Sequence, residues 1–360
     1  MHTYIKHLDI NEFQRELIQW YHKIKRDLPW RIDQDPYRIL VSEIMLQQTQ
    51  VVTVIPYFER FMALFPTTKA LAVADEQTLL KAWEGLGYYS RVRNLQKSAQ
   101  MVEEIGEFPT TYEGILNLKG VGPYTAGAVG SIAFSLPVPA VDGNVFRVIS
   151  RLCCIFEDIA KPKTRKIFTA VVSEIISHED PGAFNQGLME LGATICKPKS
   201  PRCGECPVKN YCQAYTQGID DLLPVKSKKG KQTVSKLVVG IMQNQYGEFF
   251  VEKRLNQKLL ANFYQFKSFP YQGEVEPKEL LLSEVANLGY EVKQIEALGS
   301  FNHVFSHRIW EMESYLVNVV VDLTQSEFMQ EEKSLWLKPE LLNDYPLVVA
   351  HSKMWKIVKH

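Results

Sequence analysis

Apolar residues recur at three- and four-residue intervals through about the first 215 positions, a spacing that places them on one face of a helix. Phe13, Leu17 and Tyr21 show this repeat near the N-terminus. Asp35 followed by Pro36 predicts a helix start, because aspartate caps the first amides and proline suits the first turn. Further prolines divide the region into many short helices, so we predict a core in which helix packs on helix.

The pattern changes beyond about residue 235, where apolar and polar residues alternate as they do in half-buried strands. Three stretches have this alternation: 236–243, 248–252 and 308–320. Two other stretches have helical spacing, near 276–288 and near 347–358. The C-terminal part of the chain is therefore predicted to be an α+β domain.

A polar, lysine-rich segment with little periodicity separates the two regions and has the composition of a linker. We predict a multidomain chain with an all-α domain over residues 1–220, a linker over 221–234 and an α+β domain over 235–360. The 360 residues, of which 46% are hydrophobic, are enough to bury both cores.

Charge is balanced, with 41 lysine and arginine residues against 41 aspartate and glutamate residues. A global positive field therefore does not attract nucleic acid, and any such site has to be local. The sequence has no apolar run of membrane-spanning length and no signal-peptide pattern at its start. We expect a soluble, cytoplasmic protein with no membrane partner.

Four of the six cysteines are crowded into a short segment, which indicates a metal site in a reducing compartment. They follow the spacing Cys-x6-Cys-x2-Cys-x5-Cys and are Cys196, Cys203, Cys206 and Cys212. Four thiolates bind either zinc or an iron–sulfur cluster, and spacing alone leaves both open, with unliganded thiols the least favoured reading. Cys153 and Cys154 stand apart and are interpreted as buried small apolar residues.

The segment Leu118–Ala126 lies between two helical patterns and contains Gly120, Gly122 and Pro123. The glycines permit a tight turn with exposed amides, and proline suits the first position of the next helix. Such a hairpin presents amides and the positive end of a helix to a phosphate. An ordinary helix–helix turn is the alternative, and the nine-residue context favours contact with a DNA backbone.

Two carboxylates are candidates for acid and base chemistry. Asp142 precedes a helical stretch and by itself is an N-cap. Glu43 lies among Leu40, Ile44 and Met45, where a partly desolvated carboxylate would hold its proton more easily. The alternative is a glutamate on the solvent edge of that apolar stripe, and the pattern alone does not decide between the two.

Six motifs occur in a fixed order and together resemble the helix-hairpin-helix glycosylase superfamily with an iron–sulfur cluster, in its adenine DNA glycosylase (MutY-type) branch. The motifs are Leu28–Arg31, Ser42–Gln50, Trp83–Arg91, Leu118–Ala126, Val141–Asn144 and the four cysteines. The resemblance covers almost the whole chain. It implies a [4Fe–4S] cluster on the cysteines and two helical lobes with double-stranded DNA in the cleft between them.

The resemblance also implies roles for individual residues. Glu43 would protonate adenine at N7, because adenine is a poor leaving group as an anion. Asp142 would stabilise or trap the oxocarbenium-like sugar, with Tyr124 and Asn144 orienting the reacting groups. Further residues would contact the extruded adenine or the DNA: Trp30, Arg31, Leu46, Gln48, Thr49, Leu86, Tyr88, Gly120, Gly122 and Gln186. Of these, Gln48 and Tyr88 would be wedges that fill the gap left by the base.

Tyr124 also bears on the outcome of the reaction. Related endonuclease III-type lyases have at the matching position a lysine that attacks the sugar, and without it a Schiff base cannot form there. The resemblance therefore predicts a monofunctional hydrolase that leaves an abasic site.

The C-terminal domain resembles the MutT-like (Nudix) fold. The arginine and glutamates of the Nudix metal box are replaced here by Leu282, Ser283, Ala286 and Asn287, so pyrophosphate hydrolysis is not expected. The resemblance implies instead a lesion-recognition domain whose contacts with 8-oxoguanine are Phe305, Ser306 and His307.

The predicted function is excision of adenine opposite 8-oxoguanine, or opposite G, by a monomeric bacterial enzyme. One alternative from the same superfamily is a pyrimidine-lesion glycosylase with lyase activity, against which Tyr124 and the second domain argue. Another is a cluster-bearing DNA-binding or redox-sensing protein without catalysis. A pure binder has no need of both Glu43 and Asp142.

Overall fold

The computed structural model describes residues 3–227, 232–255, 259–273, 275–305, 308–321 and 334–359. The chain divides into two compact units, one formed by Met1–Ala74 with Ser90–Lys228 and the other by Asp75–Tyr89 with Lys229–His360. The proposed domain boundaries at residues 220 and 235 stay predictions.

The first unit is built from helices, as the sequence predicts. They are α1 Ile10–Ile24, α2 Pro36–Leu46, α3 Val51–Leu64, α4 Thr68–Ala72, α6 Ser90–Ile105, α7 Tyr112–Leu116, α8 Pro123–Phe134, α9 Gly143–Leu152, α10 Thr164–Ile175, α11 Pro181–Thr194 and α12 Gln213–Gln217. Helix α5, Glu76–Ala82, belongs to the second unit.

The helix start predicted at Asp35 is confirmed, since its carboxylate accepts from the backbone N–H groups of Tyr37 and Arg38. Helix α8 is apolar around its circumference, and every residue from Thr125 to Ser131 is buried, so α8 lies inside the unit. Apolar side chains of α1, α9, α10 and α11 form a further core, in which Phe13 and Phe184 are fully buried.

Close backbone contacts fix the helices that carry the polar motifs. A Cβ atom on Gly127 of α8 would lie 2.1 Å from the carbonyl oxygen of Pro139, just before α9. A Cβ atom on Gly192 of α11 would lie 2.6 Å from the Cβ atom of Asn144 on α9. The missing side chains therefore let α8, α11 and the start of α9 approach one another.

The second unit contains a mixed sheet. Its strands among the described residues are β1 Thr233–Gln243, β2 Phe249–Lys253, β3 Tyr264–Gln265, β4 Lys267–Pro270, β5 Glu291–Val304, β6 Arg308–Val320 and β7 Ser334–Leu337. The order is β3-β2-β1-β6-β5, with β4 on β1 and β7 on β2. Strands β1 and β6 are parallel from Thr233 with Arg308 to Gln243 with Asn318, and the other pairs are antiparallel.

Helices α13, Pro277–Asn287, and α14, Val349–Val358, complete this unit. They confirm the two helices predicted there, and β1, β2 and β6 confirm the three predicted strands. Strand β5 was not predicted. In the part of the chain that the structure describes, no helix has both the length and the apolar character needed to cross a membrane.

The Gly127 contact yields a stability prediction. Gly127→Ala should lower the free energy of unfolding by about 3 kcal/mol, because the added methyl group has to displace backbone rather than a flexible side chain. Chemical denaturation measures this change. The control is Gly143→Ala, where a Cβ atom meets nothing within 4 Å. Equal stability of the two variants would contradict the packing described here.

Candidate active site

A cavity of about 370 Å³ opens among the helices of the first unit. Nine of the residues predicted to contact substrate or DNA line it: Trp30, Arg31, Glu43, Leu46, Thr49, Tyr124, Asp142, Asn144 and Gln186. Trp30 is only 6% exposed and packs edge-on against Phe58 with ring centroids 5.4 Å apart, so it belongs to the core as well as to the cavity wall.

The Glu43 side chain is buried at 6% exposure, which decides between its two sequence interpretations. It comes from α2, where every residue from Tyr37 to Met45 except Arg38 is buried. The hydroxyl of Tyr124, on α8, donates to Oε2 of Glu43 at 2.5 Å. The hydrogen bond orients the carboxyl group within the cavity.

Desolvation raises the pKa of Glu43 to about 7. The hydrogen bond from Tyr124 and the charge of Arg31 act in the opposite direction, and the negative charge of Asp142 adds to the increase. A carboxyl group with this pKa keeps a substantial protonated fraction near neutral pH. Glu43 can therefore donate a proton to a group bound in the cavity.

Asp142 caps α9 and also faces the cavity. Its Oδ1 accepts from the backbone N–H groups of Asn144 at 2.9 Å and Val145 at 2.7 Å, while Oδ2 accepts from the amide nitrogen of Asn144 at 2.9 Å. Burial raises the pKa of Asp142, and these three donors together with the charge of Arg147 oppose the increase. Since both oxygens accept, the geometry is that of an ionised carboxylate.

Arg31 and Gln186 form one polar wall of the cavity. Oε1 of Gln186 accepts from the hydroxyl of Tyr21 at 2.8 Å and from Nε of Arg31 at 3.1 Å. Glu190, one helical turn after Gln186 on α11, is 1% exposed and accepts from Arg31 and Arg26. Sequence reasoning missed Glu190, although its four-residue spacing from Gln186 on a helix could have indicated it.

Arg147 is a second residue that sequence reasoning missed. Its Nη2 donates to Oδ1 of Asn144 and to the carbonyl oxygen of Gly192, both at 2.8 Å, and its Nε donates to the carbonyl oxygen of Cys196 at 2.7 Å. One guanidinium thus fixes the amide of Asn144 and joins the start of α9 to the cysteine segment. An arginine on a helix whose neighbours are apolar was the available signal.

The predicted hairpin lies between α7 and α8. Gly120 has φ +77°, and a Cβ atom there would lie 2.6 Å from the Cβ of Asn94, so the turn requires glycine. Gly122 has φ −105°, which any residue adopts, and a Cβ atom there would meet nothing within 4 Å. No side chain among the described residues caps the first amides of α8, which leaves them suited to a phosphate.

Among the described residues, Gln48, Leu86, Tyr88 and Phe305 are predicted contacts that are not part of the lining of this cavity. Gln48 is exposed and has φ +60° in the turn that follows α2. Leu86 and Tyr88 lie in the second unit; Leu86 is buried, and Tyr88 is 44% exposed with φ +49°. Phe305 also lies in the second unit. Ser306 and His307 lie outside the described residues.

The cysteine segment follows α11 and includes short 3-10 turns at Cys203–Glu205 and Lys209–Tyr211. Cys196, Cys206 and Cys212 pack against the apolar core formed by α1, α9, α10 and α11. Nη1 of Arg151 donates to the sulfur of Cys196 at 3.2 Å. The donor set, four sulfurs with guanidinium support, suits a group held by thiolates.

The thiols of the cysteine segment are partly buried, which affects their protonation. Burial raises the pKa of Cys206 to about 12 and that of Cys212 to about 11. Among the residues with described placement, no three His, Cys, Asp or Glu side chains are grouped for a single metal ion.

The burial of Glu43 leads to a prediction about how the free energy of unfolding depends on pH. Its folded-state pKa of about 7 exceeds the ordinary 4.5, so its contribution to stability is fully present below 4.5 and is lost as pH rises through 7. Glu43→Gln stays neutral and should gain about 3 kcal/mol over the wild type above pH 7, with little gain at pH 5. Denaturation at both pH values tests this, with exposed Glu59→Gln on α3 as the control. A gain independent of pH would contradict it.

Comparisons with known proteins bear on this site. The adenine DNA glycosylase of Buchnera aphidicola subsp. Schizaphis graminum is 32% identical over 357 residues, which are 98% of this chain and 100% of that protein. The adenine DNA glycosylase of Homo sapiens is 44% identical over 217 residues, 57% of this chain and 40% of that protein.

Solved structures agree for the helical part. A thermostable thymine-DNA glycosylase has a TM-score of 0.51 and 27% identity, and covers 58% of this chain and 97% of its own. Endonuclease III, trapped as a covalent intermediate with DNA, has a TM-score of 0.51 and 25% identity, and covers 61% of this chain and all of its own.

Three family models match the chain. The HhH-GPD superfamily of base excision DNA repair proteins matches residues 41–174, the iron–sulfur binding domain of endonuclease III matches 196–212, and the NUDIX domain matches 238–356. The predicted fold class and the predicted [4Fe–4S] cluster are confirmed. The chain belongs to the adenine DNA glycosylase family, the base excision repair enzymes that hydrolyse the N-glycosidic bond of adenine in DNA.

Proposed function

We propose that this enzyme removes adenine paired with 8-oxoguanine or with G, that it acts as a monofunctional glycosylase, and that it leaves an abasic site. The observation that carries the proposal is the pair of carboxylates on one cavity, with Glu43 desolvated and Asp142 held by N–H donors. Opposed environments of this kind assign an acid and a charge-stabilising group.

The first step is proton delivery. An adenine extruded from the base stack enters the cavity, and Glu43 protonates its N7, so the base departs as a neutral species. The Tyr124 hydroxyl holds Oε2 of Glu43 at 2.5 Å, which orients the acid toward the base. Because Glu43 is buried, little solvent competes for its proton.

The second step concerns the sugar. As the bond to adenine breaks, positive charge develops on the deoxyribose ring, and the ionised Asp142 stabilises it at short range. Both oxygens of Asp142 are fixed by Asn144 and Val145, so the charge is in place before the reaction begins. Water then adds to the sugar carbon and gives up a proton to the Glu43 carboxylate, which restores the acid, and the abasic site remains.

Strand cleavage by a lysine is not available at the hairpin position, because Tyr124 occupies it with its hydroxyl committed to Glu43. The pKa of Tyr124 is raised well above its usual range by burial and by the charge of Glu43, so it stays a neutral donor. These properties support the monofunctional outcome.

Recognition of the opposite base is assigned to Phe305, Ser306 and His307 in the second unit. The backbone N–H of Phe305 donates to the carbonyl oxygen of Arg308, the first residue of β6, at 2.7 Å. The Phe305 ring lies edge-on to His303 at 4.6 Å and to Trp310 at 4.8 Å. The guanidinium of Arg254 lies 5.4 Å from the Trp310 ring centroid, so the ring that packs against Phe305 is itself held by a cation–π contact.

8-Oxoguanine differs from guanine by an N–H at N7 and a carbonyl at C8. Ser306 and His307 offer a hydroxyl and an imidazole that can accept from that N–H or donate to that carbonyl. Their placement lies outside the described residues, and their assignment rests on the resemblance and on the packing of the preceding Phe305.

The decisive experiment is a single-turnover assay on a duplex with adenine opposite 8-oxoguanine, with alkali added to half of each sample. Strand breaks should occur only after alkali, because the enzyme leaves an intact strand with an abasic site. Strand breaks without alkali would contradict the monofunctional assignment.

The matched variant in this assay is Asp142→Asn. Asparagine is a good N-cap, so α9 keeps its cap while the charge is lost. Excision should fall by about a thousandfold, and binding to the mispaired duplex should be retained. Unchanged turnover would exclude Asp142 from the reaction.

A separate prediction concerns the lesion. Ser306→Ala combined with His307→Ala should reduce the ratio of excision rates opposite 8-oxoguanine and opposite G by about tenfold or more, the value of one or two base contacts. Gln294→Ala, an exposed change on β5, is the control. If the double variant keeps the wild-type ratio, Ser306 and His307 do not recognise 8-oxoguanine.

A further inference from the structure

Arg91 is buried at the start of α6, and no step of the mechanism above uses it. It is the last residue of the Trp83–Arg91 motif and is only 9% exposed. Its Nη1 donates to three backbone carbonyl oxygens, those of Ile44 at 2.8 Å, Met45 at 3.1 Å and Gln47 at 2.6 Å. All three acceptors belong to the end of α2, the helix that carries Glu43.

The last carbonyl groups of a helix have no partner within the helix and carry partial negative charge. A buried guanidinium that bonds three of them satisfies these groups and fixes where the helix ends. Here the fixed end leads directly into Gln48, an exposed residue with φ +60°. A non-glycine residue holds this left-handed conformation only when its surroundings impose it.

The turn that contains Gln48 is also held by contacts with α8 and within the turn itself. Nε2 of Gln47 donates to the hydroxyl of Thr125 at 3.4 Å, and the N–H of Thr49 donates to the carbonyl oxygen of Leu46 at 3.2 Å. Thr125 is the buried neighbour of Tyr124 on α8. Residues 46–49 are therefore held between α6 and α8.

We infer that Arg91 is a positioning residue that presents Gln48 to the DNA base stack by holding the end of α2. The inference rests on the proposed role of Gln48 as a wedge. The three bonds from Nη1 of Arg91 go to backbone carbonyl oxygens, and the main influences on the pKa of Glu43 are burial, Tyr124, Asp142 and Arg31. Loss of Arg91 should therefore impair extrusion of the base and leave the proton-donating step intact.

The test compares two duplexes under single-turnover conditions. In one, adenine is paired with G, and extrusion has to overcome pairing and stacking. In the other, adenine lies opposite an abasic-site analogue, and extrusion costs less. Arg91→Met should lose about a hundredfold on the first duplex, a loss typical of a misplaced contact, and only a few-fold on the second. Arg91→Lys keeps the charge and should recover part of the loss.

Three further measurements make the outcome decisive. Lys97→Met removes an exposed charge from the same helix and should leave both rates unchanged. The pH at which excision on the second duplex falls to half should be the same for Arg91→Met and the wild type. Gln48→Ala should show the same selective loss on the paired duplex as Arg91→Met.

An equal loss on both duplexes, or no loss on either, in both Arg91 variants would overturn the inference. If Gln48→Ala is selective and the Arg91 variants are not, Arg91 alone is misassigned. If Gln48→Ala shows no selective loss, the wedge role on which the inference rests is wrong, whatever Arg91 does.

Discussion

The hydrogen bond from Tyr124 to Glu43 joins two helices at the cavity, and the site depends on the burial of that glutamate. Burial of a carboxyl group costs free energy unless the group takes up a proton, so the cavity favours an acid. A single tyrosine hydroxyl orients Glu43 without supplying enough donors to ionise it. Asp142 has three N–H donors, so in the proposed mechanism the number of donors separates the acid from the charge-stabilising group.

That separation requires α8, α9 and α11 to stay close together. Glycines at 127 and 192 allow the approach, and Arg147 then bonds Asn144, Gly192 and Cys196 across the gap. The arrangement ties the position of a charged residue in the cavity to the segment that holds the [4Fe–4S] cluster. Packing outside the cavity thus determines the positions of side chains that line it.

The helix starts and the candidate site residues could be predicted from the sequence, because each depends on residues that are close together in the chain. Asp35 with Pro36 marks a helix start wherever it occurs, and the cysteine spacing and the two carboxylates occur within short motifs. Strand β5 could not be predicted, because most of its side chains are exposed and the regular alternation of a half-buried strand is missing. The burial of Glu43 and the contacts of Glu190, Arg147 and Arg91 depend on residues distant in sequence, which no local pattern reveals.

The parallel pairing of β1 with β6 has a consequence for the order in which the protein can form during synthesis. Thr233 pairs with Arg308, and everything between them has to be made before the central pair of the sheet can close. The helical unit needs only the residues up to the cysteine segment to assemble its cavity. During synthesis the helices can therefore pack before β6 has been made. Until then β1 keeps an unpaired edge, which is exposed to wrong pairing with other strands.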